Sequence, residues 1–105
     1  MKATINSLTY NTDTADEIAS DSGGGYCNDF RHWEETLYRT QKGNYFLHGT
    51  GGAMSRYSET CSDGNSRGGG NAIIPLTETE ALEWCEEHNC QLVIDEHFNH
   101  LTEEA

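Results

Sequence analysis

Five potential metal ligands lie close together near the end of the sequence. They are Cys85, His88, Cys90, His97 and His100. Structural zinc sites usually combine a CxxC or CxxxxC pair with an HxxxH-type pair. Only two of the four spacings approach that pattern here, and Cys85 adjoins Trp84 on the apolar face of a candidate helix. We therefore expect buried structural thiols with no metal or other cofactor, and zinc binding is the alternative.

The other two cysteines are candidates for nucleophilic catalysis. Cys27 is followed by Asp29 and His32. Cys61 is followed by Asp63. Catalytic groups meet in space, so proximity along the chain carries little weight. Acidic neighbours also raise the pKa of a thiol and disfavour its reactive thiolate. We therefore expect no catalytic residues and no enzymatic activity.

Negative charge is the strongest feature of the composition. The formal net charge is −12, and the segment from Gly68 to Ala105 has nine acidic residues and no lysine or arginine. Direct binding of DNA or RNA is disfavoured, because affinity for phosphates requires basic side chains. Such a charge keeps a protein soluble, and it also suits a surface that competes for basic, nucleic-acid-binding grooves.

The acidic residues of this segment form a row on a candidate helix. Glu80, Glu83 and Glu87 recur at single helical turns, where carboxylates are about 5–6 Å apart. Successive phosphates of one nucleic-acid strand have a similar spacing of roughly 6–7 Å. The row predicts a surface that imitates nucleic acid, and a solvated helix face is the alternative. The predicted partner-binding residues are Glu80, Glu83, Glu86, Glu87, Asp95 and Glu96, with a second patch of Asp13, Asp16 and Glu17.

Two β-hairpins are predicted to carry these surfaces. In Lys2–Tyr10, an Asn6-Ser7 turn would place Ile5 opposite Leu8 and Thr4 opposite Thr9. The second hairpin lies within the aromatic-rich residues 30–57, where Lys42-Gly43 suits a tight turn because glycine adopts positive φ at little cost. Counting outward from that turn, the predicted pairs are Thr40–Tyr45, Arg39–Phe46, Tyr38–Leu47 and Leu37–His48.

Helices are predicted on both sides of the hairpins. Thr12–Ser20 has the signals of a short helix, because Thr14 and Glu17 fit a capping box. After a short strand at residues 72–74, which ends at Pro75, Thr77 and Glu80 form a second capping box. This helix is also predicted by a hydrophobic staple between Leu76 and Ala81, by an apolar arc of Ala81, Leu82, Trp84 and Cys85, and by a stop at Asn89. A last helix is predicted at about Asp95–Thr102. The alternative for the residues before it is a strand at Leu92–Ile94.

These elements define the expected fold. Residues 1–105 form a single α+β domain, in which a small antiparallel sheet of two β-hairpins packs against a short N-terminal helix and one or two C-terminal helices. Residues 21–29 and 58–71 are expected to be loops. No signal peptide or membrane-spanning run is recognised, which predicts a cytosolic protein with reduced thiols and no membrane association.

Three segments of the sequence resemble a family of small acidic proteins encoded on bacterial phages, plasmids and integrative elements. The segments are DFRHWEETLYRTQKGNYFLHGTGGAMSRY, a glycine-rich loop containing GN, and IIPLTETEALEW. They are similar to a family pattern of DF, ETLYRT, KGNYFLHG, GG-A-S-Y, IIPLT and EA-EW, and TYNTDTADEIA is similar to the family's YxTETAExIA. The resemblance covers most of residues 8 to 87, whereas HNCQLVIDEHFNH departs from the pattern.

Some members of that family are anti-CRISPR proteins or are encoded beside them, and such proteins bind Cas effectors and stop target DNA from being recognised or cut. The resemblance therefore implies a stoichiometric inhibitor of a bacterial Cas effector, acting in the host cytoplasm through its acidic surface. One alternative is an accessory binding module of a plasmid replication or conjugation protein. Another is an enzyme that modifies the defence complex. The sequence is also compatible with a homodimer.

Overall fold

The computed structural model describes residues 1–24, 31–52, 59–60, 67–68 and 70–103. Within them the chain is α+β, with antiparallel strands followed by two C-terminal helices. The strands are β1 (Lys2–Ile5), β2 (Leu8–Asn11), β3 (Asp16–Gly23), β4 (Trp33–Arg39), β5 (Tyr45–Gly51), β6 (Glu59–Thr60), β7 (Arg67–Gly68) and β8 (Gly70–Leu76). The helices are α1 (Glu78–Glu87) and α2 (Gln91–His97), and a 3₁₀ turn follows at Asn99–Leu101.

A four-stranded sheet with the order β3-β4-β5-β8 separates two hydrophobic clusters. Side chains alternate between the faces of a strand. On one face, Leu37 and Leu47 pair across β4 and β5 and pack beneath α1 and α2. On the other face, Phe46 packs with Tyr10 of the β1–β2 hairpin and stacks on Tyr38, with ring centroids 5.1 Å apart. The sheet therefore carries the helices on one side and the small hairpin on the other.

The predicted N-terminal hairpin is confirmed. Ile5 pairs with Leu8 and Thr4 with Thr9, and the two threonine hydroxyl oxygens are 3.0 Å apart. Asn6 and Ser7 have φ values of 52° and 68°. Positive φ at both central residues is the requirement of a type I′ turn, whose twist matches that of the flanking strands.

The predicted N-terminal helix at Thr12–Ser20 is wrong, because this segment forms a turn followed by β3. The Asn11 side chain accepts a hydrogen bond from the Asp13 N–H at 2.9 Å, which is the geometry of an Asx turn. The Thr12 hydroxyl accepts from the Met1 ammonium at 3.0 Å and is 3.2 Å from the Met1 carbonyl, to which it donates. A β-bulge lies between Glu17 and Ala19, and it allows the adjacent Ile18 and Ala19 both to pack against the helix-side cluster. Adjacent apolar residues are typical of one face of a helix and not of a regular strand, so Ile18 and Ala19 give this segment a helical pattern.

The register of the central hairpin differs from the predicted one by one residue. Arg39 pairs with Tyr45, Tyr38 with Phe46, and Leu37 with Leu47. The Thr40 N–H donates to the Asn44 carbonyl at 2.8 Å, and the Gly43 N–H donates to the Thr40 carbonyl at 2.9 Å. The loop therefore has three residues rather than two. Gly43 occupies the positive-φ position of that loop, at 87°.

Helix α1 begins and stops where the sequence predicts. The Thr77 hydroxyl accepts from the Glu80 N–H at 3.1 Å, and the Glu80 carboxylate accepts from the Thr77 N–H at 2.9 Å. Asn89 has a φ of 57°, and the Cys90 N–H then bonds the Cys85 carbonyl at 2.9 Å. These bonds satisfy backbone groups that a helix end leaves unpaired.

The segments flanking α1 differ from their predictions. The last helix begins at Gln91 rather than Asp95, so the alternative strand at residues 92–94 is wrong. Strand β8 continues through Pro75 to Leu76, because it is an edge strand and a proline can be tolerated there. Residues 21–23 extend β3, and residues 59–60 pair with 67–68 inside the predicted loop. Cys27, Asp29, Cys61 and Asp63 lie outside the described residues.

In the described part of the chain, no helix is long and apolar enough to cross a membrane.

Candidate acidic binding surface

Helix α1 divides into a buried face and an acidic face. Its buried residues are Ala81, Leu82, Trp84 and Cys85. The side chains of Glu83, Glu86 and Glu87 are exposed on the other side. The first-turn residue Glu80 is exposed as well, but its carboxylate is engaged in the capping box. We define the helix patch as Glu80, Glu83, Glu86, Glu87, Asp95 and Glu96.

The α1–α2 corner brings two members of the helix patch to one groove. Glu86 of α1 and Asp95 of α2 both line a depression of about 490 Å³, together with Glu103 and the apolar Ile94. The Asp95 carboxylate accepts a hydrogen bond from Gln91 at 2.9 Å, which fixes its position. A depression with three carboxylates on its wall suits a cationic side chain from a partner. Glu96 lies outside it, with a carboxylate oxygen 3.9 Å from the His97 ring.

The second predicted patch does not lie on a helix. Asp13 belongs to the turn after β2, whereas Asp16 and Glu17 begin β3. Asp16 pairs in register with Arg39, so its direct cross-strand neighbour is basic. Glu17 pairs with Tyr38, and the pKa of that phenol is raised by burial first and then by the charges of Glu17 and Asp13.

A third acidic group, which sequence analysis missed, lies across β3 and β4. Glu17, Asp21, Glu34 and Glu35 line a groove of about 430 Å³. Asp21 and Glu35 are direct cross-strand partners, an arrangement in which like charges repel. Glu35 is only 4% exposed. A third group is therefore needed to offset the repulsion between the Asp21 and Glu35 carboxylates.

His88, at the end of α1, supplies that compensation. Its Nδ1 is 2.5 Å from an Asp21 carboxylate oxygen, and its Nε2 is 3.8 Å from Glu35. The hydrogen bond to His88, and then one from the Ser22 N–H, lower the pKa of Asp21. The imidazole stacks on Trp84 at 4.2 Å between ring centroids and meets Trp33 edge to face at 5.8 Å. Trp84 also donates its indole N–H to Glu35 at 3.0 Å.

The candidate zinc ligands have different surroundings in the structure. Cys85 is fully buried in the helix-side cluster, His88 bonds Asp21, and His100 lies 3.1 Å from Glu78. The Cys90 thiol donates to the His88 carbonyl. Among the described residues, no group of three His, Cys, Asp or Glu side chains is arranged to hold a metal ion.

Because the Cys85 thiol is buried, we expect the protein to lose stability in alkaline solution. Burial, and then the neighbouring Cys90 thiol, raise the pKa of Cys85 from 9.0 to about 11. The folded chain holds this proton more tightly than the unfolded chain, so its stabilising effect is complete below pH 9 and is lost as pH rises from about 9 to 11. We expect the urea midpoint to fall over this interval, and to fall less steeply in Cys85→Ala. An equally steep fall in that variant would contradict the assignment.

No protein-family model, curated protein or solved structure matches the chain. The geometry and charge of the acidic groups are therefore the structural basis for proposing a function.

Proposed function

We propose that this protein is a stoichiometric inhibitor that binds a bacterial Cas effector and blocks its access to nucleic acid. The observation that carries the proposal is the helix patch, in which six exposed acidic residues lie on two consecutive helices. The segment that forms those helices contains no lysine or arginine. The resemblance to anti-CRISPR proteins supplies the Cas effector as the partner.

The electrostatics of the helix patch suit a cationic channel. Carboxylates one turn apart repel one another by a few tenths of a kcal/mol per pair. A partner that brings lysines and arginines to them relieves this repulsion, and its complementary field accelerates the encounter. The α1–α2 groove would receive one of those cationic groups between Glu86 and Asp95. Binding of this kind weakens with salt, because screening at physiological ionic strength has a length of about 8 Å.

Charge reversal on α1 is the direct test. We expect Glu83/Glu86/Glu87→Lys to weaken inhibition by about tenfold or more, because three attractive contacts become repulsive. Glu80 is left unchanged, since its carboxylate caps the helix. The measurement is a gel shift of target DNA on purified candidate Cas complexes, titrated with the inhibitor at several salt concentrations.

A matched variant separates the position of the charge from its amount. Asp13/Asp16/Glu17→Lys makes the same change in net charge at the second patch, and we expect it to weaken inhibition less because Asp16 already faces Arg39. If the α1 variant inhibits as well as the wild type, the nucleic-acid-mimic mechanism is wrong. Inhibition far below one inhibitor per effector would indicate an enzyme. Capture of replication or conjugation proteins from host lysate, without Cas subunits, would favour the accessory module.

A further inference from the structure

The outer edge of β3 has no strand beside it among the described residues. The sheet order places β3 at one end, where it pairs only with β4. Residues 16, 17, 20 and 22 of this strand are exposed. An open edge presents a row of backbone N–H and C=O groups that can pair with another extended chain. This edge is distinct from the helix patch proposed above to bind the effector.

The helix-facing side of this edge carries a local apolar groove, between Asp16 and Asp21 towards the two ends of β3. This groove of about 360 Å³ lies between β3 and the start of α2, and its wall includes Ala19, Cys90, Leu92 and Val93. Leu92 is 84% exposed, although the next two residues of the same helix, Val93 and Ile94, pack with the core. An exposed leucine alone is common. Here, however, it borders a groove that runs beside an open strand.

The opposite side of the same edge is polar and acidic. Ser20 pairs with Thr36 and Ser22 with Glu34, which places these four residues on the sheet face away from the helices. Glu17 and Glu34 line the acidic groove on this side, whereas Asp21 lies on the helix side, where it bonds His88. Strand β3 itself carries three acidic residues and no basic residue. The middle of the edge is therefore bordered by an apolar groove on the helix face and by Glu17 and Glu34 on the opposite face.

We infer that the β3 edge is a docking site for an extended protein segment in which basic and apolar residues alternate. Side chains of an added strand point alternately to the two faces of the sheet. The apolar ones would enter the groove beside Leu92, and the basic ones would face Glu17 and Glu34. Main-chain hydrogen bonds supply affinity in such strand addition, and the side-chain pockets supply specificity.

The charge of β3 indicates whether the occupant of this edge is another protein or a second copy of this chain. Pairing two β3 edges would bring the acidic residues of both copies together, in a protein whose net charge is already −12. Like charges opposed across strands destabilise a sheet. A basic segment reverses the sign of every one of these contacts, so the occupant that fits is a heterologous one.

The inference can be tested with a synthetic peptide of alternating lysine and valine, about ten residues long to cover the eight residues of β3. We expect its addition to ¹⁵N-labelled protein to shift the amide signals of residues 16–23 and 91–93 and to slow hydrogen exchange along β3. A peptide of the same composition, with all lysines preceding all valines, should bind more weakly. Peptides N-methylated at every lysine or at every valine should differ, because only alternate N–H groups of an added strand face β3.

Two variants locate the contacts. Leu92→Ser should weaken peptide binding on the order of tenfold, the effect of losing most of a buried leucine, whereas Leu8→Ser on the small hairpin should not. Glu17→Gln/Glu34→Gln should weaken binding and reduce its dependence on salt. Glu83/Glu86/Glu87→Lys should leave the amide shifts at β3 in place, so that this test is independent of the Cas proposal.

Three results would overturn the inference. The first is that the peptide shifts α1 amides instead of β3 amides. The second is that both N-methylated peptides bind as well as the parent. The third is that β3 signals shift with protein concentration in the absence of peptide, which would identify a second copy as the occupant.

Discussion

The replacement of Phe98 with alanine is expected to destabilise the fold by about 3–5 kcal/mol. Phe98 follows α2 and is completely buried in the helix-side cluster, where its ring lies 5.1 Å from that of Tyr45. It fixes the C-terminal turn to the sheet. A domain of this size has only about 5–15 kcal/mol of total stability, so this one change removes a large part of it.

Urea unfolding followed by tryptophan fluorescence measures the effect of Phe98→Ala. The control is Leu92→Ala in the same C-terminal region, where the side chain is 84% exposed and the expected change is within about 0.5 kcal/mol. Equal midpoints for the two variants would mean that the turn after α2 does not contribute to the core.

Removal of the Glu35 carboxylate is expected to cost about 2–4 kcal/mol. Glu35→Ala leaves the buried Trp84 indole N–H without its acceptor at 3.0 Å, and a buried donor without a partner costs about 1–3 kcal/mol. The cavity left by the truncated side chain adds to this loss. His88 also loses the Glu35 carboxylate that lies 3.8 Å from its Nε2, and it keeps its hydrogen bond to Asp21.

Two further variants separate the hydrogen bond from the general effect of substitution. Glu35→Gln keeps an oxygen that can accept from Trp84, and we expect a smaller loss of stability than in Glu35→Ala. Glu34→Ala changes the adjacent carboxylate, whose side chain is 61% exposed, and should have little effect. If Glu35→Gln and Glu35→Ala unfold at the same urea concentration, the Trp84 hydrogen bond is not the source of the stabilisation. The Trp84 indole proton signal gives an independent measurement.

The elements that sequence analysis located correctly depend on short-range interactions. The type I′ turn at Asn6-Ser7 and the capping box of Thr77 and Glu80 each involve residues no more than three positions apart. Their physical causes are present in a few neighbouring residue types. The acidic face of α1 was predictable for the same reason, because a helix repeats every 3.6 residues.

The errors arose where distant residues decide the structure. β3 has local helix signals, yet pairing along the whole of β4 outweighs them. The error in the register of the central hairpin has a local cause instead: Gly43 suits the positive-φ position of a two-residue loop and of a three-residue loop equally well. The contact among Asp21, Glu35 and His88 joins two strands and a helix end, and Asp21 and His88 are 67 positions apart in the sequence. The one local signal for it is the spacing of Trp84 and His88, which allows ring stacking on a helix.

Pro75 has a consequence for the behaviour of the protein at high concentration. A fibril grows only when both edge strands of each sheet can pair with further strands. Pro75 has no N–H group, so the edge strand β8 offers one hydrogen-bond donor fewer. At the opposite edge of the sheet, the acidic residues of β3 repel the β3 strand of a second copy. In the described part of the chain, neither border of the sheet favours polymerisation, a property that would suit the proposed inhibitor, because a stoichiometric inhibitor has to accumulate in large amounts.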